Sequence, residues 1–149
     1  MKIEEEIKQE RFKDEYQKLI INQLFTGKWI ASIIAKHLKQ FGLSTQQYNV
    51  LRILRGQKSN AISVNEIADR MIDKMSNVSR LIDKLTQKEL VRRKINFEDR
   101  RQVDIEITDK GLKLVNQVEQ EESKLNQNFT NLNQEEAKQL NALLDKFRG

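Results

Sequence analysis

The side chains best equipped for chemistry in this sequence are cations, and they are crowded together. From Lys74 to Arg101 there are nine: Lys74, Arg80, Lys84, Lys88, Arg92, Arg93, Lys94, Arg100 and Arg101. Four acids stand against them, Asp83, Glu89, Glu98 and Asp99, so this stretch carries a net +5, equal to the charge of the whole chain. Guanidinium and ammonium groups attract phosphate, and their confinement marks where a polyanion would sit. Short polar side chains, Ser76, Asn77 and Ser79, lie among the first of them. Asn pairs with adenine and Arg with guanine through two hydrogen bonds each, so Asn77 and Arg80 suit base edges, while Lys84, a turn further on, suits a phosphate. Covalent and metal chemistry have little to work with. The chain has no Cys and a single His, His37, which removes disulfides, thiol redox chemistry and cysteine metal sites and leaves no nucleophile–base pair. No catalytic, cofactor or metal residue is assigned, and an enzyme such as a small hydrolase is set aside.

The elements that must present these groups follow from composition and period. A length of 149 residues, 38% of them apolar, fits one domain with a core, and the absence of Pro with only five Gly favours long helices. No run of about 18 apolar residues occurs, and the acidic start after Met1 lacks the pattern of a signal peptide, so the expected setting is soluble and cytoplasmic. From Ile3 to Phe41 apolar residues recur at three- and four-residue steps, which predicts an amphipathic helix over 3–41 spanning roughly 55–60 Å, with Gly27 leaving open a kink or a division into two helices. Its stripe is too long for the rest of the chain to cover, so a second subunit is expected. Capping boxes with flanking apolar staples at Ser44/Gln47, Ser63/Glu66 and Asn133/Glu136 start helices over about 45–55, 64–71 and 134–147. Another helix is expected over 74–88, capped by Asp73, and a long one begins after Thr108.

Between Leu90 and Thr108 the period changes to two, with Val103, Ile105 and Ile107 alternating with polar residues, which predicts a two-stranded hairpin whose tip lies near Asn96–Arg101. The order helix, helix, helix, hairpin is that of a mostly α winged helix-turn-helix, and the basic excess falls on the one helix and hairpin shaped for a major and a minor groove. The lobe covers 44–108; the segments 3–41 and 109–148 are expected to be dimerisation helices.

These residues resemble the multiple-antibiotic-resistance regulator (MarR) family of bacterial transcription factors. The likeness runs through Glu66-Ile67-Ala68-Asp69-Arg70-Met71, the stretch from Ser76 to Leu85, Leu90-Val91 with Arg93, Asp99-Arg100-Arg101, and Ile107-Thr108 with Gly111. It implies a homodimer whose terminal helices interlock while two winged lobes straddle a pseudo-palindromic operator. It also implies that Arg101 enters the minor groove and Asp99 holds the wing tip; a guanidinium on a narrow ribbon suits the potential of a narrow minor groove. Arg93, Lys94 and Arg100 are assigned to DNA on the same block. The family is similar in placing small aromatic ligands between the dimer helices and the lobe, where Trp29, His37 and Tyr48 are the candidates for an apolar, anionic effector. Glu89 stands where many relatives have Gly, so a non-glycine must make the turn into the wing.

The expected activity is therefore specific binding of double-stranded DNA by a homodimer acting as a ligand-released repressor, without cofactor or membrane. The rival is a winged-helix protein-interaction module without specific DNA binding. Such a module has no need of +5 on a recognition helix and wing.

Overall fold

The computed structural model describes residues 1–57, 60–96 and 103–149. The chain opens with a single helical turn, α1 (Ile3–Glu6), followed by α2 (Glu15–Lys39). The single helix expected over 3–41 is thus two. Lys8 adopts a left-handed backbone (φ 54°), and α2 restarts where the Asp14 carboxylate accepts the Gln17 N–H (2.8 Å) while Gln17 Oε1 accepts the Lys13 N–H (2.7 Å). This local box ends the helix reading that the apolar period carried through. Ile3 folds back and is buried, and Lys18 pairs with Glu4. Gly27 does not interrupt α2, whose 25 residues span about 37 Å.

Next come α3 (Thr45–Gly56), β1 (Ile62–Ser63), α4 (Val64–Arg70), α5 (Val78–Gln87), β2 (Val91–Ile95) and β3 (Val103–Ile107). The C-terminal part holds α6 (Asp109–Gln120), α7 (Glu122–Asn126), a 3₁₀ turn (Gln127–Phe129) and α8 (Gln134–Arg148). All three expected capping boxes are formed, at the starts of α3, α4 and α8. The hairpin is antiparallel, with Val91 opposite Ile107 and Arg93 opposite Ile105, and β1 adds a third strand so that the order is β1-β3-β2. That short strand escaped the sequence reading because two residues carry no period.

One core joins the lobe to the long helices, built on Leu38, Leu51, Leu54, Ile82, Ile105 and Val115, each 1% exposed or less. By contrast α8 buries nothing: Leu140, Leu143 and Phe147 stand exposed, as do Tyr16, Ile20 and Leu24 at four-residue steps along one face of α2. Among the described residues no helix is long and apolar enough to cross a membrane.

Candidate nucleic-acid interface

The turn between α4 and α5 is built by side chains capping backbone. Asn49 Oδ1, on α3, accepts the Ile72 N–H (2.9 Å), and Asp73 Oδ1 accepts the Met75 N–H (3.0 Å). Asn77 Oδ1 then accepts the Arg80 N–H (3.1 Å) and starts α5. The helix therefore begins four residues later than expected, and Asp73 closes a turn instead of capping it. Asp and Asn compete with helix in this way by bonding amides two or three residues on.

This shift changes what the candidate residues offer. Asn77, Ser79, Arg80 and Lys84 are exposed on or beside the first turns of α5. Asn77 has its oxygen on the helix end, leaving its amide nitrogen as the donor toward a ligand. The Ser76 hydroxyl is buried and without a hydrogen-bond partner among the described residues, so a base contact through it needs a change of rotamer. Arg80 and Lys84 form no ion pair with any carboxylate of the described residues. They border a groove of about 440 Å³ that also runs past Ser44 and Gln46 at the start of α3 and past Met75.

The wing cations behave differently. Arg93 reaches back to Asp83 on α5 (2.5 Å). On the other face of the hairpin Glu106, with its side chain only 7% exposed, is held between Arg92 (2.5 Å) and Lys94. The hydrogen bond from Lys94, with that from Arg92, holds the Glu106 carboxyl below the usual carboxylate range despite its burial. Three of the nine cations thus share two carboxylates of the lobe while their own side chains stay 49–61% exposed, so Arg93 and Lys94, both expected at DNA, still face outward. Sequence reasoning missed Asp83 and Glu106; the hairpin register, which sets Arg92 opposite Glu106, is the signal that would have found the second. Arg100, Arg101 and Asp99 lie outside the described residues.

Recognition helix, wing and α6 meet at one junction. After α5 the Glu89 N–H bonds Thr86 O (2.9 Å) and the Leu90 N–H bonds Leu85 O (3.0 Å), a Schellman ending with Glu89 itself left-handed (φ 61°). Glu89, a non-glycine, thus makes the turn into the wing itself. Thr108 Oγ1 donates to Glu89 O (2.7 Å) and accepts the Gly111 N–H (3.1 Å), while the Thr108 N–H bonds Leu90 O (3.1 Å). Gly111 is required by space: a Cβ there would lie 2.3 Å from Leu90 O. The Thr-x-x-Gly spacing is therefore a device that docks α6 against the root of the wing.

Comparison with known proteins agrees with this geometry. A family model described as the MarR family matches residues 43–103. The chain is 39% identical over 74 residues to the HTH-type transcriptional repressor MdtR of Bacillus subtilis (strain 168), covering 50% of this chain and 46% of MdtR. It is 30% identical over 113 residues to the HTH-type transcriptional regulator PecS of Dickeya dadantii (strain 3937), covering 74% of this chain and 68% of PecS. The chain belongs to the MarR family. Among solved structures, the S. aureus MepR–DNA complex superposes with a TM-score of 0.74 at 25% identity, covering 92% of this chain and 97% of that one. The chain spans about half the length of MdtR and of the HTH-type transcriptional regulator MhqR of Bacillus subtilis (strain 168), to which it is 32% identical over 83 residues.

In this MarR-family chain the three aromatic candidates for an effector do not share one site. Trp29 stacks edge-on against Phe129 (centroids 5.7 Å apart) and borders a cavity with Met1, Ile3 and Phe25. His37, two turns along α2, borders a separate space of about 50 Å³ with Tyr48, Arg52 and Glu122. Gln40 Nε2 lies 3.2 Å from His37 Nδ1, and His37 Nε2 is buried without a hydrogen-bond partner among the described residues. Arg52, which the sequence reading did not select, donates to Tyr48 OH (3.5 Å) and pairs with Glu119 (3.4 Å).

Proposed function

We propose that this chain is a homodimeric transcriptional regulator that binds specific double-stranded DNA, working in the cytoplasm as a repressor released by a small ligand. The observation that carries the reading is the exposed pair Arg80 and Lys84, without carboxylate partners among the described residues, on a helix whose first turns also offer Asn77 and Ser79. Groups of this kind discriminate bases when a helix enters the major groove. The names of MdtR and PecS as transcriptional regulators, and the MepR–DNA complex, support the same reading. In the bound state, as the family resemblance implies, Arg101 enters the minor groove and Asp99 braces the wing, with Arg100 also at the DNA. Arg93 and Lys94 act mainly by holding the wing, through Asp83 and Glu106.

Dimerisation is supported by the uncovered stripes of α2 and α8, which would otherwise leave Leu24, Leu143 and Phe147 in water at 50% exposure or more. The segments 3–41 and 109–148 supply that interface, and 44–108 supplies the lobe. The effector seats beside His37 and Tyr48, where the buried His37 Nε2 has no hydrogen-bond partner among the described residues and Arg52 lies close. An apolar acid satisfies both groups. The space holds about one water as it stands, so a ligand must part α2, α3 and α7 to enter.

Selection from random duplex DNA tests the function directly. A two-fold related sequence with half-site centres about 34–36 Å apart is expected, and no enrichment of any sequence would refute DNA recognition. Sedimentation at low micromolar concentration should give twice 17.6 kDa; a folded monomer there contradicts the architecture.

A further inference from the structure

The turn that leads into α5 exposes the two least covered large apolar side chains of the described residues, Ile72 at 88% and Met75 at 92%. Neither lies on the α2 or α8 stripes. The turn is held firmly. The Ile72 N–H is fastened to Asn49 on α3, the Met75 N–H to the Asp73 side chain, the Ser76 N–H to Asp73 O (3.2 Å), and Lys74 Nζ to Asp69 O. Met75 is therefore a flexible apolar side chain projected from a fixed backbone. Its surroundings differ from those of Ile72, because Met75 borders the groove shared with Gln46, Asn77, Arg80 and Lys84 and Ile72 does not.

Arg80 and Lys84 outweigh Asp73, the one acid lining that groove, so its charge favours a polyanion as the occupant. Within the major groove, the apolar group that base edges offer is the 5-methyl of thymine. An unbranched thioether adapts its shape to such a target. We propose that Met75 is a base-reading residue whose side chain covers a thymine methyl beside the bases met by Asn77 and Arg80. This rests on the DNA-binding reading above and adds to it an apolar specificity contact.

The test uses the duplex enriched by selection, with each thymine replaced in turn by deoxyuridine, which removes only the methyl. Affinities are read by fluorescence anisotropy for the full-length wild-type chain and for Met75→Ala, Met75→Leu and Ile72→Ala. At one symmetric thymine position the wild type should lose about fourfold per half-site, the worth of one methyl removed from water. Met75→Ala should bind the thymine duplex about that much more weakly and no longer distinguish it from the uracil duplex. Met75→Leu should keep most of the discrimination, and Ile72→Ala should behave as wild type. Discrimination that survives Met75→Ala, or a wild type indifferent at every thymine, overturns the proposal while DNA recognition stands. A selection that enriches nothing overturns both.

Discussion

Gly111→Ala places one methylene-sized group where the structure has no room. The new Cβ would lie 2.3 Å from Leu90 O, 2.7 Å from Ile107 Cγ1 and 3.2 Å from Leu90 C. A carbon–oxygen contact settles at about 3.3 Å or more, so either α6 withdraws by about 1 Å or the Leu90 carbonyl turns away. Both movements break the Thr108 N–H bond to that carbonyl, and Leu90 and Ile107, at 4% and 5% exposed, admit no water in its place. Overpacking costs about 1–3 kcal/mol and an unsatisfied buried polar group about 1–3 more, while Ala regains about 1 kcal/mol of helix propensity. The net loss is about 1–5 kcal/mol, centred near 3. Urea unfolding at a fixed protomer concentration should show it as a midpoint about 1–2 M lower with unchanged slope. Gly56→Ala is the control: nothing lies within 4 Å of its Cβ, and it should be neutral or slightly stabilising. A Gly111→Ala chain within 0.5 kcal/mol of wild type would refute the reasoning, because the junction would then tolerate the displacement on which the estimate depends.

Glu89→Gly should gain up to about 1 kcal/mol in thermal unfolding, since relief of a left-handed non-glycine exceeds the entropy that Gly adds, and the exposed Lys110 partner contributes little; Glu89→Val should lose stability. Glu106 has a folded pKa below its unfolded value, so its contribution is present above the ordinary carboxylate range and is lost as pH falls through the folded pKa. Glu106→Gln should therefore be less stable than wild type at pH 7, with the difference shrinking in urea titrations toward pH 3; a constant difference would discard the ion-pair account. With no Cys in the chain, operator binding should resist peroxide until methionines oxidise, and the loss should then be abolished by Met75→Leu, because Met71 is buried at 1% exposure. In that step the peroxide oxygen passes to the thioether sulfur and water leaves. Loss of binding while mass spectrometry finds every methionine intact would contradict it.

Where capping chemistry and apolar period agreed, the sequence located elements closely, as at Ser44, Ser63, Thr108 and Asn133. Where they conflicted, capping prevailed. The period ran from Ile3 to Phe41, but the Asp14/Gln17 box and the left-handed Lys8 split it. Likewise the apolar face of the recognition helix begins at Val78, and the expected start after an Asp73 cap gives way because Asp73 holds the Met75 amide of the turn while Asn77 caps the helix itself. The place of the basic residues was legible, but their availability was not. Arg92, Arg93 and Lys94 are outward cations, as net charge counts them; only the pairing of β2 with β3, and of the hairpin with α5, reveals that each also has a carboxylate partner, in Glu106 or Asp83. His37 and Tyr48 come together because α2 and α3 pack at Leu38 and Leu51, while Trp29 sits two turns away, a separation that helical rise alone predicts.

The same contacts explain how a ligand beside His37 would act at a distance on α5. The recognition helix is fastened at its C-terminal end in two directions. Lys88 Nζ donates to Gly42 O (2.5 Å) at the turn joining α2 to α3, and the left-handed Glu89 is tied by Thr108 to the start of α6. On the other side Glu119 of α6 pairs with both Arg52 and Arg55 of α3. An acid that draws Arg52 from Glu119 while parting α2 from α3 therefore loads both fastenings together. A close-packed lobe answers such a load by turning as a body about its joints with α2 and α6. In a dimer that rotation changes the distance between two recognition helices, the quantity that an operator with fixed half-site spacing measures. Linkage then requires the operator to weaken the effector by the factor through which the effector weakens the operator. Arg52→Ala should abolish that reciprocity while leaving Asn77, Arg80 and Met75 in place, so operator affinity without ligand would persist and its response to any apolar acid would vanish. An unchanged response in Arg52→Ala would place the switch elsewhere in the fold.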